Sequence, residues 1–339
     1  MDLSYEPLQL KLHVPFTIAR GTQLVADNVE VALSDGEECG IGEAAPSEHY
    51  GELQGTVLAF LAELRPRLPD LDALAIVELH ALMDEVAMLN PAAKAAVDMA
   101  LYDLLGKRLG APVYQLLGLD PKRTPLTSFT IGIDQPEVMA QKAAEARQYP
   151  VLKVKVGTPN DAVNLEAIRQ VRPDAVIRVD ANTAWTAKEA IRRIRELQQF
   201  DLEFVEQPVS DRDLEGLATI REAVDLPIIA DESCIVPEDV PRVAPYVDGI
   251  NIKIMKCGGI YPALQMIHLA RAHHLKIMMG CMIESSVAIT AAAHLSPLLD
   301  YADLDGNLLI DDDPYKGVTV EEGRLKLNDR PGLGLTPAR

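Results

Sequence analysis

The chain has 339 residues, 48% hydrophobic and 24% charged, enough for a large core and for one big domain with a smaller companion. Its formal net charge of −19 repels nucleic acid and anionic lipid alike, which argues against both as partners. No apolar run approaches the ~20 residues of a membrane helix, and the start MDLSYEPLQLKLHV lacks a signal pattern, so a cytoplasmic protein is expected.

From Met1 to about Gly118, strand-like alternation is mixed with three helical stretches. The alternation is clearest in NVEVALSDGEECGIGEA, with a turn at Asp35-Gly36, and the last helical stretch is AAKAAVDMALYDLLGKRLG. This pattern predicts an α+β unit over 1–118. From 119 to 309 the rhythm changes, and short β-branched runs alternate with amphipathic segments such as DAVNLEAIRQV and TAKEAIRRIRELQQF. The candidate strands are LTSFTIG, LKVKVG, VIRVDAN, FVEQPV, IIADES, GINIKIM, KIMMGCM and YADLDG. Lys153, Asp180, Glu206, Asp231 and Lys253 mark successive strand ends at intervals of 27, 26, 25 and 22 residues, the length of one strand, one helix and two loops. Eight such units predict an α/β fold of the (β/α) barrel type, with reactive residues at the C-terminal strand ends. No Gly-rich phosphate loop follows the first strand, as a doubly wound sheet would require. The segment 310–339 loses the rhythm and is expected to complete the first unit by pairing back onto it.

The polar residues at the strand ends are specific in kind. Lys153 and Lys155 in VLKVKVG are two apart and share one strand face. Asp180 in RVDAN, Glu206 in VEQP and Asp231 in ADES close three consecutive strands, and a barrel would bring their carboxylates together. Such a group repels itself unless a cation joins it, and three hard oxygen ligands with open positions suit Mg2+. Lys253 in NIKIMK lies on the other side of that group, and Lys256 is read as surface beyond the strand end. A lysine beside a cation in a desolvated site has a lowered pKa and can act as a base. Two lysines flanking a metal-bound carboxylate form a device for removing and returning an α-proton. Asp303 and Asp305 in YADLDG share a face of the last strand and form an acidic clamp or, alternatively, a cap before Gly306. Cys39, Cys234, Cys257 and Cys281 follow no metal or redox spacing.

The set KVK, VDAN, VEQP, ADES and NIKIMKCGG resembles the enolase superfamily, specifically its muconate-lactonizing subgroup. GEAAP and AAVDMALYDLLGKRLGAPVYQLLG resemble that subgroup's capping domain. The resemblance implies Lys155 and Lys253 as bases on opposite faces of a carbon, with Lys153 binding the substrate carboxylate and tuning Lys155. It implies Asp180, Glu206 and Asp231 as Mg2+ ligands, with Asn182 behind them. The Asp303/Asp305 pair resembles that of dipeptide epimerases, where it grips the substrate's ammonium group. PFTIARGT resembles the mobile capping loop of L-Ala-D/L-Glu epimerases, with Gly21 as hinge, and there Arg20 either meets a substrate side-chain carboxylate or lies on the surface. No His-Asp dyad stands at a strand end, which disfavours the histidine-using racemases. In GCMIES, Glu284 either bonds a neighbouring lysine or serves the core. The implied activity is inversion of the C-terminal residue of a dipeptide, an isomerase step fitting cell-wall peptide metabolism. The partner is then a small-molecule dipeptide, with a homo-oligomer left open. The alternatives are o-succinylbenzoate synthesis or N-succinylamino acid racemisation on the same scaffold, and a non-catalytic barrel.

Overall fold

The computed structural model describes residues 1–68 and 75–338. Strands β1 (Asp2–Ile18), β2 (Gly21–Ser34) and β3 (Cys39–Ala44) form an antiparallel sheet in that order. The turn between β2 and β3 is at Asp35-Gly36, where Asp35 Oδ1 accepts the Glu37 and Glu38 amides and Gly36 takes φ 97°. Helices α1 (Gln54–Leu64) and α3 (Pro91–Leu109) pack against this sheet, and α2 (Ile76–Val86) packs against those two helices. Gly40 and Gly42 of β3 lie directly against the α3 backbone at Ala100 and Ala96, an approach that any Cβ would block.

After the single turn α4 (Val113–Leu116) the parallel sheet begins. Its strands are β4 (Phe129–Ile131), β5 (Val151–Lys155), β6 (Val176–Asp180), β7 (Leu202–Glu206), β8 (Ile228–Ala230), β9 (Gly249–Ile252), β10 (Lys276–Met279) and β11 (Tyr301–Ala302), each beside its sequence neighbour. The ring closes where Thr127 bridges Ala302 and the Ser128 amide donates to Ala302 O at 3.1 Å. The barrel expected from the repeat is therefore present. Between the strands run α5 (Pro136–Glu145), α6 (Asp161–Val171), α7 (Ala187–Leu197), α8 (Leu214–Ala223), α9 (Asp239–Val243), α10 (Ile254–Cys257), α11 (Ile260–Ala272) and α12 (Ser286–Ala293). Local chemistry sets several starts: Thr186 caps α7 by accepting the Glu189 amide, and Asp213 caps α8 by accepting that of Gly216 at 2.9 Å.

The barrel interior is layered as strand alternation demands. Phe204, Ile229 and Met278 fill the floor with Tyr301, and the Arg178 guanidinium lies 5.3 Å from the Phe204 ring and 5.0 Å from that of Tyr301. Asp180 and Glu206 stand two residues further along the same strands, which puts the polar layer directly above this plug. The final segment returns to both parts of the molecule. Ile310 bridges Leu12, Gly332 bridges Pro112, and Gly323 O accepts the Thr127 amide at 2.8 Å beside β4. Among the described residues no helix is long and apolar enough to cross a membrane.

Candidate active site

Parallel register builds the site. Lys155 pairs with Asp180 and Asp180 with Glu206, so three functional side chains form one row across β5, β6 and β7. Asp231 follows β8 directly and Lys253 follows β9. In a ring of eight strands, β5 and β9 are four apart, which sets Lys155 and Lys253 on opposite sides. Both line one cavity of about 670 Å3 that also contains Lys153, Asn182, Asp303 and Asp305.

The carboxylates and ammonium groups interlock. Lys153 Nζ lies 2.7 Å from Asp303 Oδ2, 2.8 Å from Glu206 Oε2 and 3.2 Å from Asp180 Oδ2. Lys155 Nζ donates to Asp180 Oδ2 at 2.7 Å, and Lys253 Nζ is 2.8 Å from Asp231 Oδ2. Burial disfavours charge at Lys153, Lys253 and the carboxylates, but mutual attraction decides the sign for most. Against the cost of burial, Asp303, Glu206 and Asp180 hold Lys153 well above the ordinary lysine range, and Asp231 does the same for Lys253. The lysines likewise outweigh burial at Asp180, Asp231 and Asp303, whose carboxyls fall below the usual range. Glu206 goes the other way, pushed up to about 8 by burial and by its neighbour Asp180. Asp305 rises to about 7 through burial and the charge of Asp303. From the sequence, lysines with lowered pKa values are expected. For Lys153 and Lys253 the carboxylates reverse that as long as no other cation shares them.

Among the described residues, no three acidic, His or Cys side chains are grouped as a ready metal cage. The three carboxylates gather instead around ammonium groups. Their chemistry nonetheless fits a hard divalent cation. Glu206 Oε2 and Asp231 Oδ2 are buried without a hydrogen bond of good angle, and their ammonium neighbours sit on flexible side chains that can yield to an ion. The backbone after β6 is unusual, with φ 44° at Asn182 and 69° at Thr183. That turn lets the Asn182 amide donate to Asp180 Oδ1 at 2.9 Å and its Nδ2 reach Glu232 Oε1 at 3.3 Å.

Asp303 and Asp305 leave β11 on the same side. Asp303 Oδ1 accepts from Ser128 Oγ at 2.5 Å, and Asp305 Oδ2 accepts the Thr130 amide at 2.6 Å. Asp305 precedes a short helical turn at Gly306–Leu309 but makes no side-chain cap there. Arg20, at the tip between β1 and β2, is exposed but tied down. Its Nη1 donates to the buried Glu232 Oε1 at 2.6 Å and to Asn182 O at 3.0 Å, pinning the tip to the barrel mouth.

Lys256 is a correction to the sequence reading. It is fully buried, and its Nζ donates to Asp231 Oδ1 and Asp231 O at 2.6 Å, Asn251 O at 2.9 Å and Cys234 O at 3.0 Å. The short α10 turns the chain so that Lys256, three residues after Lys253, meets the same aspartate; that spacing was the available signal. Asn251, two before Lys253 on β9, also went unread, and its Nδ2 donates to Glu206 Oε1 at 2.7 Å. Gln207 holds the loop that carries Asp231: its Oε1 accepts the Asp231 amide at 2.8 Å and its Nε2 donates to Ser233 Oγ. Among the described residues Glu284 bonds no lysine; its Oε1 accepts the Met282 amide at 2.7 Å, and burial pushes its carboxyl up to about 8.

Residues 4–118 match the family model described as mandelate racemase / muconate lactonizing enzyme, N-terminal domain, and residues 137–339 match that described as enolase C-terminal domain-like. An L-Ala-D/L-Glu epimerase of Bacteroides thetaiotaomicron is 41% identical over 337 residues, 99% of this chain and 88% of that one. A dipeptide epimerase of Enterococcus faecalis, complexed with Mg and the dipeptide L-Leu-L-Tyr, superposes with a TM-score of 0.94 at 39% identity over 99% of both chains. An N-succinyl Arg/Lys racemase of Bacillus cereus superposes with a TM-score of 0.94 at 32% identity over 99% of this chain and 96% of that one.

Proposed function

The chain belongs to the mandelate racemase / muconate lactonizing enzyme family of the enolase superfamily, and from that premise we propose that it is a Mg2+-dependent dipeptide epimerase. It inverts the α-carbon of the dipeptide's C-terminal residue. The observation that carries this reading is the placement of Lys155 and Lys253 across the barrel from one another, in one cavity with the Asp303/Asp305 pair.

Asp180, Glu206 and Asp231 would hold Mg2+, the metal in the Enterococcus faecalis complex. When bound, the ion supplies an electrophile that stabilises charge developing on the substrate's terminal carboxylate. Lys155, as the neutral amine, takes the α-proton on its side, and the electron pair of the broken C–H bond moves toward the carboxylate. Lys253, as the ammonium, returns a proton to the opposite face, and the roles exchange for the other enantiomer. Lys153 binds the same carboxylate and stands beside Lys155 on the shared strand face. Asp303 and Asp305 accept hydrogen bonds from the dipeptide's free ammonium. Arg20 closes the tip of the β1–β2 hairpin over the cavity, where its remaining N–H groups suit an acidic side chain.

The N-succinylamino acid racemase reading shares the lysines and the metal. Its substrates lack a free ammonium, and two buried carboxylates at the cavity wall then have no partner in the reaction. Incubation with Mg2+ and a panel of L,L-dipeptides in heavy water separates the readings. Solvent deuterium gained at the C-terminal α-carbon supports epimerisation; exchange confined to N-succinylamino acids supports the rival.

A further inference from the structure

The two lysines are held in different ways. Lys155 closes β5 inside the sheet, paired in register with Asp180 of β6. Lys253 stands directly after β9, where the ladder with β10 has stopped at Ile252, and it is the N-cap residue of α10. That short helix therefore fixes its backbone: Lys253 O accepts the Lys256 amide at 2.9 Å and the Cys257 amide at 3.1 Å. A single helical turn has little stability of its own, so its neighbours must hold it. All of α10 is buried, and it packs against α3 of the N-terminal unit.

The hold from that side is a carboxylate for which the reaction has no use. Asp98 of α3 is buried, and it accepts the Ile260 amide at 2.5 Å through Oδ1 and the Tyr261 amide at 3.3 Å through Oδ2. It thus caps α11 from a distant part of the chain. Gly258 and Gly259 join α10 to α11 with φ 98° and 127°, and a Cβ on Gly259 would stand 2.4 Å from Asp98 Cγ. His80 of α2 donates from Nε2 to Asp98 Oδ2 at 2.7 Å, and its ring lies 5.0 Å from that of Tyr261. After β3, the Ala45 amide lies 3.3 Å from Met255 Sδ in α10 itself. We infer that Asp98, braced by His80, is a positioning residue for Lys253 and not for Lys155. The N-terminal unit then governs proton transfer on one face of the α-carbon and leaves the other to the barrel, an inference that rests on the epimerase reading above.

Each face can be measured by itself. The best L,L-dipeptide of the panel above and its L,D epimer are incubated separately with Mg2+ in heavy water, and initial rates of deuteration with retention and of inversion are followed by mass spectrometry and chiral chromatography. A deuterated neutral lysine takes the α-hydrogen as a proton, leaves the electron pair on the substrate, and can return a deuteron to the same face. Exchange with retention therefore reports one lysine without the other. Lys155→Ala and Lys253→Ala show which epimer presents its hydrogen to which lysine. Asp98→Ala is expected to lower kcat/KM for inversion about tenfold from either epimer, since the equilibrium between the epimers fixes the ratio of the two. Exchange with retention stays within about twofold of wild type for the epimer facing Lys155 and falls about tenfold for the one facing Lys253. Asp98→Asn, which keeps an acceptor for the Ile260 amide, brings inversion back to within about threefold. Should Asp98→Ala not fold, His80→Phe shows the same split at about threefold. An equal fall for both epimers, or none, makes Asp98 structural only, and a fall confined to the Lys155 face overturns the inference. Absence of deuteration of every dipeptide by the wild-type chain sinks the epimerase reading itself, and the inference with it.

Discussion

Asp231 carries two ammonium neighbours, Lys253 at one oxygen and Lys256 at the other. Lys256 donates to Asp231 Oδ1, Asp231 O and Cys234 O of the loop that presents Asp231 and to Asn251 O of β9, so it fixes the carboxylate before any ligand arrives. Lys256→Met leaves that side of a buried carboxylate uncompensated, and we expect a loss of roughly 3 kcal/mol in unfolding free energy. Weaker Mg2+ binding by calorimetry should accompany it. Asp303→Asn removes one arm of the clamp without touching Asp180, Glu206 or Asp231. Dipeptide turnover should fall by about tenfold or more, with Mg2+ affinity retained; an equal loss of metal would mean that Asp303 serves the ion instead. The carboxylates and Lys155 were legible as single residues because strand ends fix where they point. Lys256 was not, because its direction depends on one turn of helix that breaks the strand pattern.

At the level of elements, alternation along β5, β6 and β7 does most of the placement, and this was readable from two-residue spacing. The contacts of α12 were not. His294, at its C-terminal end, is buried against the last segment, with Nδ1 accepting the Tyr114 amide at 3.1 Å, which leaves the Nε2 hydrogen to donate to Leu333 O at 3.2 Å. Burial lowers its pKa to about 4. The unfolded chain takes up a proton near pH 6.5 that the folded chain refuses, so this group's contribution to stability is lost as pH falls from about 6.5 to 4. The loss amounts to roughly 3 kcal/mol. Denaturant unfolding at pH 7 and pH 4.5 should show a steeper drop for the wild-type chain than for His294→Gln. Parallel slopes would mean that the folded ring takes up its proton as readily as the unfolded one, so that burial does not lower its pKa.

For the whole molecule, a formal charge of −19 and a layer of buried carboxylates make a divalent ion a natural ligand of the folded state alone. Mg2+ at about a hundred times its Kd is expected to add about 2.7 kcal/mol to stability, seen as a rise in Tm that a chelator reverses. Glu206→Gln should abolish most of that rise, and a flat Tm across a Mg2+ titration would count against the metal site. From sequence alone came the repeat, the strand ends, the carboxylates and lysines they carry, and the turn at Asp35-Gly36. These are properties of spacing along one strand, where backbone geometry dictates direction. Tertiary structure alone decided what meets across distance in the chain: Lys153 among three carboxylates from three other strands, Arg20 on Glu232, and Glu43 on Ser285. Such contacts depend on barrel closure and on how the capping sheet seats against it, and no local periodicity encodes either.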